Sequence, residues 1–168
     1  MPTKPEPSPT SGNISPSSPP IHQNGKPTVE TFDKDELLYR RYRSEHFING
    51  KILPASFSFP KQSFNRSRFS KSEDVLHVDC CDGKPLSPKD GWGVIGCNVS
   101  ALPSPVESTD GRSFRFFAKH VPLPTCYAHS ELWCTQNPSD VYTEPPSSVK
   151  EAFRIRLARI LKPRIFAV

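Results

Sequence analysis

The sequence predicts an α+β fold, a mainly antiparallel sheet with one C-terminal amphipathic helix packed on a face, preceded by a disordered Pro/Ser-rich tail. Three observations carry this prediction. Period-two alternation recurs in short segments bounded by turn residues, one helical stripe lies near the C-terminus, and no strand-helix-strand rhythm connects them. Of the 20 prolines, Pro2, Pro5, Pro7, Pro9, Pro16, Pro19, Pro20 and Pro27 fall within residues 1–30, whereas all 11 phenylalanines and both tryptophans lie beyond residue 30. Residues 1–30 therefore lack the apolar groups that offset ordering entropy and are expected to be the tail. Residues 31–168 are expected to form a single domain, long enough to bury a sizeable core.

The elements follow in order. Asp33 can cap a short helix over residues 34–43, with Leu37, Leu38 and Arg41 on one side and Tyr42 at i+4 from Leu38; the same segment could equally be a strand. Residues 55–59 (ASFSF) alternate with period two and stop at Pro60, as a half-buried strand would. Residues 60–71 (PKQSFNRSRFSK) read as a polar loop of bases and aromatics, and Ser72 then caps a helical turn at Glu73-Asp74-Val75-Leu76. Two Gly/Pro/Asp-rich loops follow, around Cys81-Asp82-Gly83 and Lys89-Asp90-Gly91. Residues 92–99 (WGVIGCNV) predict a buried strand in which Gly93 and Gly96 mark a bulge or a close backbone approach. Asp110-Gly111 is a hairpin-type turn into a strand over 113–121, and 127–135 predict another strand. The C-terminal helix is predicted over 149–161. Ser148 and Glu151 supply a capping box, Val149, Phe153, Leu157, Ile160 and Leu161 share a face, and Pro163 ends it. Arg156 falls near that stripe, where it would pack its stem and reach a carboxylate at the edge.

Several function classes are excluded by what the sequence lacks. No apolar run approaches the ~18 to 20 residues of a membrane span, and MPTKPEPSPTSGNISPSSPP has no signal-peptide apolar stretch, so a cytoplasmic location is expected. Cys80, Cys81, Cys97, Cys126 and Cys134 are an odd set, read as reduced thiols. There is no Walker A loop, GxGxxG, GxSxG or HExxH, which removes a conventional NTPase, dehydrogenase, α/β-hydrolase or zincin. The net charge of +5 resides outside the tail, where Lys4 and Lys26 balance Glu6 and Glu30; it allows an acidic partner without requiring one.

The stretch from His120 to Glu131 (HVPLPTCYAHSE) carries the candidate chemistry. In a strand, Tyr127, His129, Glu131 and Trp133 share one face, while Ala128, Ser130, Leu132 and Cys134 share the other, which reads as core. A carboxylate beside an imidazole fixes its tautomer and raises its basicity, so His129 and Glu131 are candidate acid-base residues, with His120 and His46 as further proton-transfer groups. Candidate binding residues are Arg66, Asn65, Phe64, Arg68, Phe69 and Tyr127, since aromatics flanked by arginine favour binding hot spots. Zinc is not expected, because His77-x2-Cys80 and Cys126-x2-His129 lack paired Cys-x2-Cys spacing. The loop and the helix bases Lys150, Arg154, Arg156 and Arg159 could meet nucleic acid, but +5 is modest for a phosphate-backbone binder.

The succession LYRR, PASFSF, FNRSRFSKSEDVL, GWGV and HVPLPTCYAHSEL resembles a group of small uncharacterised bacterial proteins over about residues 37–134. The matching positions are His46, Ser56, Phe57, Asn65, Arg66, Ser70, Gly93, Val94, His120, Pro122, Pro124, Ala128, His129 and Glu131; the Pro/Ser tail and Cys80-Cys81 stand outside the pattern. The resemblance implies a bacterial cytosolic protein and brings no activity. A fainter likeness is to ADP-ribosyltransferase-type folds, with Arg40 or Arg41, Ser56 or Ser58, and Glu131 in the positions around a nicotinamide dinucleotide. Two functions are therefore expected in order of preference. The first is a non-enzymatic interaction or accessory domain with a protein partner. The second is a small enzyme acting on a nucleotide or phosphate-bearing substrate through His129, Glu131 and an Arg66 anion clamp.

Overall fold

The computed structural model describes residues 26–59, 62–76, 91–124 and 126–166. Among them, seven strands form one sheet: β1 (Leu37–Arg43), β4 (Ser63–Arg66), β5 (Trp92–Asn98), β6 (Val106–Glu107), β7 (Ser113–His120), β8 (His129–Gln136) and β9 (Lys162–Ile165). The spatial order is β6-β7-β8-β4-β1-β5-β9, and each neighbouring pair is antiparallel. A separate ribbon pairs β2 (Phe47–Ile48) with β3 (Lys51–Ile52). It turns at Asn49 and Gly50, both at positive φ, the conformation for which Asn-Gly is the preferred pair. One helix, α1 (Ser147–Ile160), precedes β9. The expected α+β class, mainly antiparallel with a C-terminal helix, holds.

The core forms between one face of the sheet and α1. Strand alternation sends Leu38 and Tyr42 of β1, Phe114 and Phe116 of β7, and Leu132 and Cys134 of β8 inward, where they meet Val149, Phe153 and Leu157 of the helix. Phe153 stacks on Phe116 with ring centroids 4.0 Å apart and meets the edge of Phe59 at 5.8 Å. The stripe read from the helix sequence is thus the buried one.

Residues 37–43 form a strand, the second of the two readings that segment allows. Leu38 and Tyr42 are spaced by four, which satisfies both periods, and pairing along all of β1 from Leu37↔Asn98 to Arg43↔Trp92 decides between them. Two other expectations are corrected. Residues 55–59 form no strand: Pro54–Ser56 is a 3-10 turn, and the alternation arises because Phe57 is buried and Phe59 packs against the helix. Within the expected loop 60–71 lies β4, a central strand in which Asn65 and Arg66 are buried. The turn at Glu73–Leu76 and the strand at Trp92–Asn98 are present as expected. Gly93 is a close approach, since a Cβ there would lie 2.5 Å from Cζ of Tyr42, whereas the irregular register is at Val94/Ile95 opposite β9.

At the helix, no side chain caps the N-terminus. Pro146 is the N-cap residue with φ −65, so Ser148 lies inside the first turn and the Ser148/Glu151 capping box does not form. Pro163 does not end the helix; it belongs to β9, opposite Ile95. Arg156 is exposed, and Arg154 takes the packed position, 5.4 Å from the Phe59 ring centroid. The loops around Cys81-Asp82-Gly83 and Lys89-Asp90 lie outside the described residues.

Candidate functional site

The predicted acid-base segment keeps its faces and loses its exposure. Ser63↔Glu131 and Asn65↔His129 are cross-strand partners, so His129 and Glu131 do share a face of β8, opposite Leu132 and Cys134. His129 is only 2% exposed and Glu131 9%. His129 Nδ1 lies 2.7 Å from the Val121 carbonyl, and because a carbonyl only accepts, the ring donates there. His120 faces the other way, opposite Ser130. Its Nε2 donates to the Tyr127 carbonyl at 2.7 Å, leaving Nδ1 as the acceptor for the Val29 N–H at 3.1 Å.

Arg66 is not a surface clamp. It is fully buried, with Nε and Nη2 each 2.7 Å from a different carboxylate oxygen of Glu36. Nη2 also donates to the Thr31 carbonyl at 2.7 Å and Nη1 to the Val29 carbonyl at 2.5 Å. The Phe32 ring covers the guanidinium at 3.7 Å. Together with the Tyr127 hydroxyl, which donates to the Pro27 carbonyl, these contacts tie residues 27–32 across the domain as a strap. Pro27 and Val29, which the sequence reading assigns to the tail, make these contacts with residues of the sheet and the β7–β8 turn. Arg66 and His129 stand on adjacent strands, but Asn65 is the residue paired with His129, so alternation points Arg66 to the opposite face. Among the described residues, the two side chains are thus separated by the sheet.

The rest of the expected contact loop divides between core, partly buried and exposed positions. Phe64 is core, 2% exposed; Phe69 packs on His120 at 5.3 Å and Tyr127 at 4.8 Å; Arg68 is exposed. Phe69 thus packs beside Arg66 and Tyr127, two of the residues that grip the strap. The sequence gives no sign of this, because the partner groups of Arg66 are mostly backbone carbonyls.

A different place gathers positive charge. β4 pairs with β1 only at Leu38↔Arg66 and Tyr39↔Asn65, so beyond Tyr39 the two strands part and a cleft of about 480 Å³ opens. Its walls include Tyr39, Arg40, Arg41, Arg43, His46, Ser56, Ser58, Ser63, Asn65 and Trp92, with no carboxylate among the described lining residues. Of the predicted site residues, His46 and Asn65 reach this cleft. Arg41 and Arg43 flank the Trp92 ring, at 5.0 and 5.3 Å from its centroid.

Arg40 sits beneath, over the faces of Phe57 and Phe64. Its Nη1 donates to Gln62 Oε1 at 2.7 Å and its Nη2 reaches the Ser56 carbonyl at 3.4 Å. No described carboxylate pairs with it. Burial, with the Arg41 charge behind it, pushes the Arg40 guanidinium down to about 10. Two buried amides stand nearby with an open donor each, Asn65 in the cleft wall and Gln62 bonded to Arg40. Gln62 Nε2 and Asn65 Nδ2 have no partner, while Gln62 Oε1 takes Arg40 and Asn65 Oδ1 accepts the Cys126 thiol at 3.6 Å. The sequence signal for this site is LYRRYR: a strand reading of it puts an arginine between two core residues.

Burial also pushes the Cys97 and Cys134 thiols up to about 12, which leaves them inert as nucleophiles. Among the described residues, no group of three or more His, Cys, Asp or Glu side chains could hold a metal ion; His77, Cys80 and Cys81 lie outside them. No described helix is long and apolar enough to cross a membrane. Comparison of the chain with protein-family models, with curated proteins and with solved structures returns no match.

Proposed function

We propose that the protein is an interaction domain that captures an anionic group of its partner or ligand in the cleft between β1 and β4. The observation carrying this reading is Arg40, a largely desolvated cation whose hydrogen-bond partners among the described residues are neutral oxygens and which is pressed by a second arginine. A buried charge of this kind is costly until a counter-charge arrives, and a cleft that supplies no described carboxylate leaves that place to a ligand. The groups expected to transfer protons support a binding role over a catalytic one. His120 uses both ring nitrogens and His129 uses Nδ1 in holding the backbone.

Calorimetric titration with inorganic phosphate tests the reading. Binding is expected in the wild type and is expected to weaken at least tenfold in Arg40→Gln, about 1.4 kcal/mol or more. Equal affinity in the two proteins would overturn it.

One observation favours a second reading, a nucleotide enzyme of ADP-ribosyltransferase type. Arg40, Arg41, Ser56 and Ser58 line the same cleft, and its Ser63 is the cross-strand partner of Glu131. On that reading nicotinamide is released from the dinucleotide and Glu131→Gln abolishes the release. Phosphate binding without any release, measured by chromatography of the reaction mixture, would leave the interaction domain standing and remove the enzyme.

A further inference from the structure

We infer that a second site, the groove between the β2–β3 ribbon, the last turns of α1 and the start of β9, binds an aliphatic carboxylate of medium chain length. The groove shares no lining residue with the cleft between β1 and β4 and does not depend on it. Its volume of about 370 Å³ lies in the range of small-molecule sites. The walls follow from local pattern. In β3, alternation buries Ile52 and turns Lys51 outward. On α1, Ile155, Ala158 and Arg159 are spaced i, i+3 and i+4 and form a second stripe, apart from the buried one of Val149, Phe153 and Leu157. The chain leaves the helix at Leu161 in extended conformation and enters β9 with Lys162 and Pro163.

Two chemistries meet in this groove. Ile52, Pro54, Ile155, Ala158, Leu161 and Pro163 give it an apolar lining, and Lys51, Arg159 and Lys162, one from each wall, add three exposed cations. Among the described residues, none of the three pairs with a carboxylate, and no carboxylate lines the groove. The C-terminal end of α1 brings about half a negative charge to the same place, which three cations outweigh. A small inorganic anion gains little here, because exposed cations are hydrated and screened. A neutral alkyl chain would cover the apolar lining and leave the three like charges uncompensated. An alkyl chain that ends in a negative group answers both at once, burying its methylenes and placing its charge among the cations.

The test is methyl NMR of the full chain titrated with octanoate, hexanoate and octan-1-ol at physiological ionic strength. Octanoate is expected to shift the methyls of Ile52, Ile155 and Ala158 and to bind roughly fivefold tighter than the alcohol, the upper range of exposed ion pairs. Hexanoate is expected to bind roughly fourfold more weakly than octanoate, below the ~15-fold of two fully buried methylenes, since one side of the groove is open. Replacing the three cations together, Lys51→Gln with Arg159→Gln and Lys162→Gln, is expected to bring octanoate down to the affinity of the alcohol. All three positions are exposed, so the core is untouched. Arg159→Gln alone, expected to cut the preference to about twofold, serves if the triple variant does not fold. Arg40→Gln is expected to leave octanoate binding unchanged, which separates this groove from the cleft. Absence of the methyl shifts, equal affinity for acid and alcohol, equal affinity for the two acids, a preference that survives loss of the cations, or loss of octanoate binding in Arg40→Gln would each overturn the inference.

Discussion

Arg66→Ala is expected to destabilise the domain by about 3 to 5 kcal/mol, the usual cost of stranding one partner of a buried ion pair. The arginine is fully buried and Glu36 is 6% exposed, so the carboxylate would keep its burial and lose both guanidinium contacts. The Val29 and Thr31 carbonyls would lose their donors in the same step. Chemical denaturation measures the total, and hydrogen exchange at the Val29 amide shows whether the strap lifts first. Replacing both partners, as Arg66→Met with Glu36→Leu, is expected to recover much of the loss, because an apolar pair of similar volume leaves no charge behind. A single-variant loss below about 1 kcal/mol, the range of exposed ion pairs, would mean that the pair is solvated and the strap is held otherwise.

Phe153→Ala is expected to cost a similar amount, about 3 to 5 kcal/mol, through a different mechanism. Its ring fills the space between Phe116 and Phe59 and has no exposed surface. Removing it takes away apolar burial and leaves a cavity that sheet and helix cannot both close upon. Phe166→Ala, at a residue 67% exposed, is the matched control and is expected to be nearly neutral. Comparable melting temperatures for the two variants would show that α1 does not seal the core as described.

The parts of the fold written in local pattern were legible from the sequence. The helix stripe of Val149, Phe153 and Leu157 and the two faces of β8 follow from spacing alone, and the close approach at Gly93 follows from the absence of a Cβ. β4 was not legible, because a central strand reading Ser-Phe-Asn-Arg contradicts the apolar pattern expected of one. Its Asn65 and Arg66 are tolerated there through partners thirty or more residues away in sequence, Glu36 and Cys126 among them. β9 was hidden by Pro163, a residue that reads as a helix stop and that an edge strand accepts. For the site, the residue types were legible and their grouping was not. His129, Glu131 and Arg66 are adjacent along paired strands yet divided by the sheet, whereas Arg40, His46 and Asn65 meet because two strands separate, a feature of register that no single segment encodes.

The strap is gripped almost wholly by its main chain: the Pro27, Val29 and Thr31 carbonyls and the Val29 amide are the atoms that Tyr127, Arg66 and His120 touch. Such a thread tolerates spelling changes and forbids changes of length. Substitutions at Thr28 or Glu30, whose side chains take no part, leave the carbonyls where they are. Deleting one residue between Pro27 and Thr31 would carry them past their fixed eyelets and turn alternate carbonyls outward, so across diverging copies of this chain the segment should drift freely in composition while its residue count stays constant.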